Sequence, residues 1–232
     1  MSTQNKTPSQ TSRNNILAKL KEQVGGADYT KLPKEFAYQY PALSKAEQKK
    51  QFISLLEANH AEVIMLEPQE IPTMIRKVLT TRGITRLLGG KASPLENYLL
   101  ELTNNNSAEN TISIQYYDFN LSDPANKDRL FNESPVSITS AHSAIAATGT
   151  IVLWPTTEEP RSLSLVPPVH IVVVEEKTLY QDFDSLIKAQ QWQNKMPTNI
   201  ILASGPSKTA DIQQTLAYGA HGPKELIVLL VP

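Results

Sequence analysis

Two short apolar runs near the C-terminus, residues 199–203 (N-I-I-L-A) and 226–231 (L-I-V-L-L-V), most constrain the fold. Each is rich in branched side chains and bounded by turn residues, the pattern of a buried strand. Comparable runs recur at 62–66, 84–88, 112–117, 136–139, 151–154 and 169–174. Helical signals lie between them. Ser44-Lys45-Ala46-Glu47 is a capping box that opens a helix to residue 59. A further helix is expected over 70–81, closed by Gly83. Asp123-Pro124 opens a short one toward Phe131, a small-residue helix is expected over 141–147, and the last over 182–193. Strands alternating with helices predict an α/β fold, a three-layer sandwich with a mixed, largely parallel sheet.

The chain has 232 residues, enough for one large domain with an N-terminal appendage. A Ser/Thr/Gln/Asn-rich stretch over 1–12 is expected to be a disordered tail. A helical arm is expected over 13–60, with Ile16, Leu17 and Leu20 on one side of its first helix and an irregular, aromatic-rich strap over 29–43. The α/β domain follows over 61–232. Lysine and arginine number 22 against 23 aspartates and glutamates, so no global field favours nucleic acid or an acidic membrane. The apolar runs fall short of the ~18 residues that a membrane span needs, and the N-terminus lacks an apolar secretion core. The chain is expected to be cytoplasmic. It has no cysteine, which rules out disulfides, thiolate catalysis and cysteine ligation of iron–sulfur clusters by this chain alone.

Residues 204–223 (S-G-P-S-K-T-A-D-I-Q-Q-T-L-A-Y-G-A-H-G-P) hold the densest set of polar groups after a strand. A strand, a Gly205-Pro206 turn and a helix capped by Ser207 or Thr209 are expected there. Such a helix start would offer backbone N–H groups to an anion. Lys208 adds a positive charge and Asp211 an acid or base. The plain alternative is a capped helix joining two core strands. Gly89-Gly90, Thr148-Gly149-Thr150 and residues 204–211 are expected to converge at the carboxyl ends of the strands, where open α/β sheets place ligands. Arg161 suits a carboxylate, or forms a local ion pair with Glu158 and Glu159. His221 lies ten positions beyond Asp211, about 15 Å along a helix, which argues against a direct dyad. His142 and His170 are expected as accommodated residues, not ligands. No phosphate-loop or dinucleotide fingerprint occurs, and no metal site is expected.

Four segments together resemble one family: A-I-A-A-T-G-T-I-V-L (144–153), E-P-R-S-L-S-L-V-P-P-V-H-I (159–171), G-P-S-K-T-A-D-I (205–212) and G-A-H-G-P-K-E-L (219–226). They are similar to the hallmarks of the LutC-like LUD-domain family of lactate-utilisation proteins. The resemblance implies a fold of the ribose-phosphate-isomerase and CoA-transferase-like type. It also implies a cluster-free subunit that works with iron–sulfur partner proteins to oxidise L-lactate to pyruvate. An independent enzyme on a small sugar-phosphate, acyl-CoA or folate-like substrate, or a non-catalytic assembly subunit, is the alternative. Thr148, Gly149, Arg161, Gly205, Ser207, Lys208 and Thr209 are the candidate contacts for a small carboxylate ligand, with Asp211 and His221 as candidate catalytic groups. Ala147 and Gln213 stand where the family often has acidic residues.

Overall fold

The structure is a computed structural model and describes residues 8–26, 28, 38, 40–104, 111–117, 122–210, 216–219 and 221–232. Residues 1–7 of the tail expected over 1–12, most of the strap expected over 29–43, and Asp211 and Gln213 lie outside the described residues. The chain divides into two units, Met1–Gln39 and Tyr40–Pro232. The first carries helix α1 (Pro8–Gln23), which starts inside the stretch expected as a tail and leaves Ile16, Leu17 and Leu20 exposed.

The second unit is built on a six-stranded sheet whose neighbours are all parallel. Its strands are β1 (Glu62–Met65), β2 (Arg86–Gly90), β3 (Ser113–Tyr117), β4 (Val136–Ser140), β7 (Val169–Glu175) and β12 (Glu225–Val231), in the order β1-β12-β7-β4-β2-β3. The central strands are continuous apolar runs because both faces of a parallel sheet are covered. Ile171, Val173, Ile227, Leu229 and Val231 pack on one face with Ile75 and Leu79 of α3 (Ile71–Thr81) and Leu99 and Leu102 of α4 (Glu96–Asn104). Their neighbours Val172, Val174, Leu226, Val228 and Leu230 pack on the other face with Phe52 and Leu56 of α2 (Lys45–Ala58). The capping box at Ser44 and Glu47 opens α2 as expected.

The second face also carries α5 (Pro124–Asn132), α6 (Arg161–Leu165) and a four-stranded sheet in the order β8-β5-β6-β9. Those strands are β5 (Ser143–Ile145), β6 (Thr150–Leu153), β8 (Leu179–Tyr180) and β9 (Ile201–Ala203). Their mixed directions supply the mixed character of the fold. Helix α7 (Phe183–Ala189) closes the outside through Leu186 against Ile145 and Val152.

Four local expectations are corrected. The helix expected after residue 204 is a hairpin, β10 (Lys208–Ala210) against β11 (Leu216–Tyr218). Ser207 there donates its N–H to the Pro223 carbonyl at 2.8 Å and accepts from Gly219 N–H at 3.0 Å, so its backbone closes a loop and opens no helix. The stretch expected as a helix over 141–147 is β5 followed by a 3-10 turn, Ala146–Thr148. Ala144 faces the α2 core and Ile145 the opposite cluster, a period of two that only a strand provides. Gly89 and Gly90, beyond the run expected to end at residue 88, belong to β2 and pair with Tyr116 and Tyr117. The run at 199–203 is an outer strand of the small sheet with Leu202 half exposed, not a buried one.

Candidate functional site

Strand β2 leaves for β3 through α4 on the first face, whereas β4 leaves for β7 through the second face. Connections that diverge from adjacent parallel strands open a crevice at their carboxyl ends. The two strands share a single registered pair, Leu88↔Ser137. Above that pair the ends of β2 and β4 are capped by the 156–159 loop. A Cβ on Gly90 would collide with the Glu158 carbonyl, so glycine is what lets this loop settle onto β2.

The loop delivers Glu159 into the crevice. Glu159 keeps only 9% of its exposure. Ser140, the last residue of β4, donates its N–H to Glu159 at 3.0 and 3.2 Å and its hydroxyl at 2.7 Å. Thr156 fixes the loop: its hydroxyl accepts from Glu159 N–H at 3.0 Å, and its own N–H donates to the Glu159 carbonyl at 3.1 Å. Burial pushes the Glu159 carboxyl above the ordinary glutamate range, against the Ser140 hydrogen bonds, which pull it down. The neighbouring Glu158 is exposed, and its bond to the Thr157 hydroxyl lowers it. Two adjacent carboxyls are thus driven in opposite directions by their surroundings.

Polar side chains continue beneath Glu159. Thr139, Ser140, Trp154 and Ser164 line the same small cleft. The Thr139 hydroxyl is 2.8 Å from Nε2 of His170, a fully buried ring held to about 4 by burial and therefore neutral. His170 is thus an accommodated sheet residue, as expected. Trp154 also meets the exposed His142 ring at a centroid distance of 4.4 Å, and His142 Nε2 lies 2.7 Å from Gln190 Oε1. On the far side of the crevice the Ser162 hydroxyl donates to Tyr117 at 2.9 Å, at the end of β3. Arg161 opens α6 two positions after Glu159; it is exposed and forms no ion pair among the described residues. The arrangement can hold a proton on a shielded carboxyl, with Arg161 exposed at the start of α6 two positions further along the chain.

The remaining sequence candidates stand elsewhere, and the convergence expected at the carboxyl edge does not occur. Gly149, at left-handed φ 58°, packs against Leu55 of α2, leaving no room for a side chain. Thr148 and Thr150 hydroxyls lie 2.7 Å apart, and Thr150 is 2.7 Å from the Ser204 hydroxyl. A Cβ on Gly205 would stand 2.7 Å from the Asn59 carbonyl, at the C-terminal end of α2. These groups, with Ser207 against Pro223, lie at the amino ends of β1 and β12, opposite the Glu159 crevice. Lys208 is exposed, and Thr209 pairs with Ala217 through the backbone. His221 is exposed and donates its N–H to the Ser207 hydroxyl at 3.3 Å. Ser140, Trp154 and Tyr117 were not singled out from sequence, although each ends a recognisable strand. Among the described residues no group of three or more His, Asp or Glu is placed to hold a metal ion. No helix among them is long and apolar enough to cross a membrane.

A domain of this layout, with its crevice between β2 and β4, matches the LUD domain over residues 49–231, and the chain belongs to that family. It is 32% identical to an uncharacterised protein of Neisseria meningitidis serogroup B over 228 residues, 95% of this chain and 94% of that one. It is 26% identical to Lactate utilization protein C of Bacillus pumilus over 193 residues, 82% of this chain and 80% of that one. A crystal structure of a DUF162 family protein from Deinococcus radiodurans shares the fold, with a TM-score of 0.58 at 22% identity, covering 82% of this chain and all (100%) of that one.

Proposed function

We propose that this chain is a cluster-free component of a cytoplasmic system that uses L-lactate, and that the crevice around Glu159 is where a small carboxylate binds. The observation that carries this is the likeness to Lactate utilization protein C of Bacillus pumilus along four-fifths of both chains. The chemistry of the crevice is compatible with it. Arg161 would hold the carboxylate as a charge-assisted pair. Glu159, in its ionised form, would accept the proton of the substrate hydroxyl. Oxidation of lactate to pyruvate breaks the O–H and C2–H bonds and releases two electrons and two protons: the hydroxyl proton would pass to Glu159, the C2 proton to solvent, and the two electrons, one at a time, to iron–sulfur clusters in partner proteins. Lys208, Ser207, Thr209, Thr148, Gly149, Gly205 and His221 fall outside the proposed site, at the opposite edge.

Deletion of the gene from its host tests the function. Growth on L-lactate is expected to fail while growth on pyruvate persists, and the tagged chain is expected to co-purify with iron-containing proteins. Normal growth on L-lactate after deletion would contradict the proposal. One observation favours a second reading. A shielded carboxyl that binds its proton tightly suits an enzyme acting alone on a small sugar-phosphate, acyl-CoA or folate-like substrate. Turnover by the purified chain without partners, lost in Glu159→Gln, would establish it.

A further inference from the structure

Among the described residues, no strand pairs with the outer side of β1, the first strand in the sheet order. Such an edge presents unpaired backbone donors and acceptors and is normally blunted or covered. Here it is flanked by a groove on each face of the sheet. On the second face, Lys50, Ile53, Ser54 and Glu57 of α2 form a groove with Met65. On the first face, Ile64 forms another with Met74, Val78 and Thr81 of α3. Met65 remains 62% exposed. An added strand sends alternate side chains to opposite faces, which is what two grooves astride one edge receive.

We propose that the occupant is a second copy of this chain, its β1 pairing antiparallel with the first about a two-fold axis at Ile64. With the axis normal to the sheet, Val63 stands opposite Met65 of the other copy on the α2 face, and Met65 opposite Val63. Ile64 meets its own equivalent on the α3 face. The charges on α2 select this occupant. Ala61 N–H bonds to the Leu56 carbonyl, so β1 begins level with the end of α2. Two strand residues rise about 6.6 Å and four helical residues about 6 Å, so the axis at Ile64 crosses α2 near residues 53 and 54. Lys50 and Glu57 lie equally far on either side of that point. Each copy's Lys50 therefore faces the other's Glu57, twice per dimer, as an isologous interface requires. Both side chains are exposed and unpaired among the described residues, whereas the adjacent Lys49 is already bound to Glu176.

Light scattering on the full chain at micromolar concentration is expected to give twice the 25.7 kDa of one copy. Lys50→Glu and Glu57→Lys, each placing like charges opposite one another twice, are expected to weaken the dimer by about tenfold or more. The double variant K50E/E57K is expected to restore it. Because the chain has no cysteine, Ser54→Cys supplies a single thiol near the axis, and a short bismaleimide is expected to link two copies. Circular dichroism confirms that the variants are folded. A monomer at every concentration overturns the proposal, as does a dimer indifferent to both single charge changes. Slow amide exchange along β1 in a monomer, which would mean another segment of the same chain covers the edge, also overturns it. So does a different protein recovered on that edge in place of the second copy.

Discussion

Glu159 is a buried carboxyl surrounded by hydroxyls and one backbone donor, with Arg161 outside its first ring of contacts. Removing a carboxylate from water is costly unless donors or a counter-charge replace the solvent. Ser140 replaces part of it, and the balance still favours the protonated form beyond the ordinary range. The consequence for stability has a definite sign. A folded-state value above the unfolded one means the folded chain binds the proton more tightly. Stability therefore falls as pH rises from the unfolded glutamate value of about 4.3 toward the raised folded value. Glu159→Gln keeps one acceptor for Ser140 N–H and removes the charge. It is expected to abolish that fall and to leave the denaturation midpoint at neutral pH equal to or above wild type. His170 has the opposite slope. Burial lowers it to about 4, so stability is complete above about 6.5 and is lost as pH drops toward 4, by roughly 3 kcal/mol over the full interval. His170→Gln is expected to remove this acid-side loss in urea titrations at a series of pH values, while a wild-type-like slope would show that the imidazole is not shielded.

At the level of elements, the crevice depends on close approaches that only glycine permits. Gly90→Ala places a methyl group against the Glu158 carbonyl at the end of β2. Overpacking of this kind costs about 1–3 kcal/mol, and here the relief is expected to come from lifting the 156–159 loop and with it Glu159. The variant is expected to fold yet lose function, and a wild-type thermal midpoint with wild-type activity would refute that role for Gly90. The six strands of the main sheet, β6, β9, α2, α3 and α5 were readable in the sequence because each announces itself locally, by an apolar run, a capping box or an Asp-Pro start. Strands β5 and β8 and helices α4 and α6 were not. The hairpin at 208–218 was misread for a physical reason: Ser207 and Thr209 are equally good caps and turn residues, and only the distant Pro223 carbonyl decides between them. Glu159 was visible as one of a pair beside Arg161. What distinguishes it from Glu158 is Ser140, nineteen positions away, a contact that no local pattern encodes.

On the scale of the whole molecule, two edges of one sheet have been given different work. The polar residues at the amino ends of β1 and β12, including Ser204, Gly205 and Ser207, tie α2 and the hairpin to the sheet. The carboxyl ends of β2, β3 and β4 gather Glu159, Ser162 and Tyr117 around the point where the chain's connections diverge, with Arg161 exposed at the start of α6. Belonging to the LUD domain family fixes the layout of such a molecule, and the shielded carboxyl is the feature of this crevice most suited to chemistry. The direct test is complementation of the deletion strain with Glu159→Gln, at matched levels of folded protein, on L-lactate as sole carbon source. The expected result is failure to grow on L-lactate with growth on pyruvate intact. Growth on L-lactate at the wild-type rate would contradict the account.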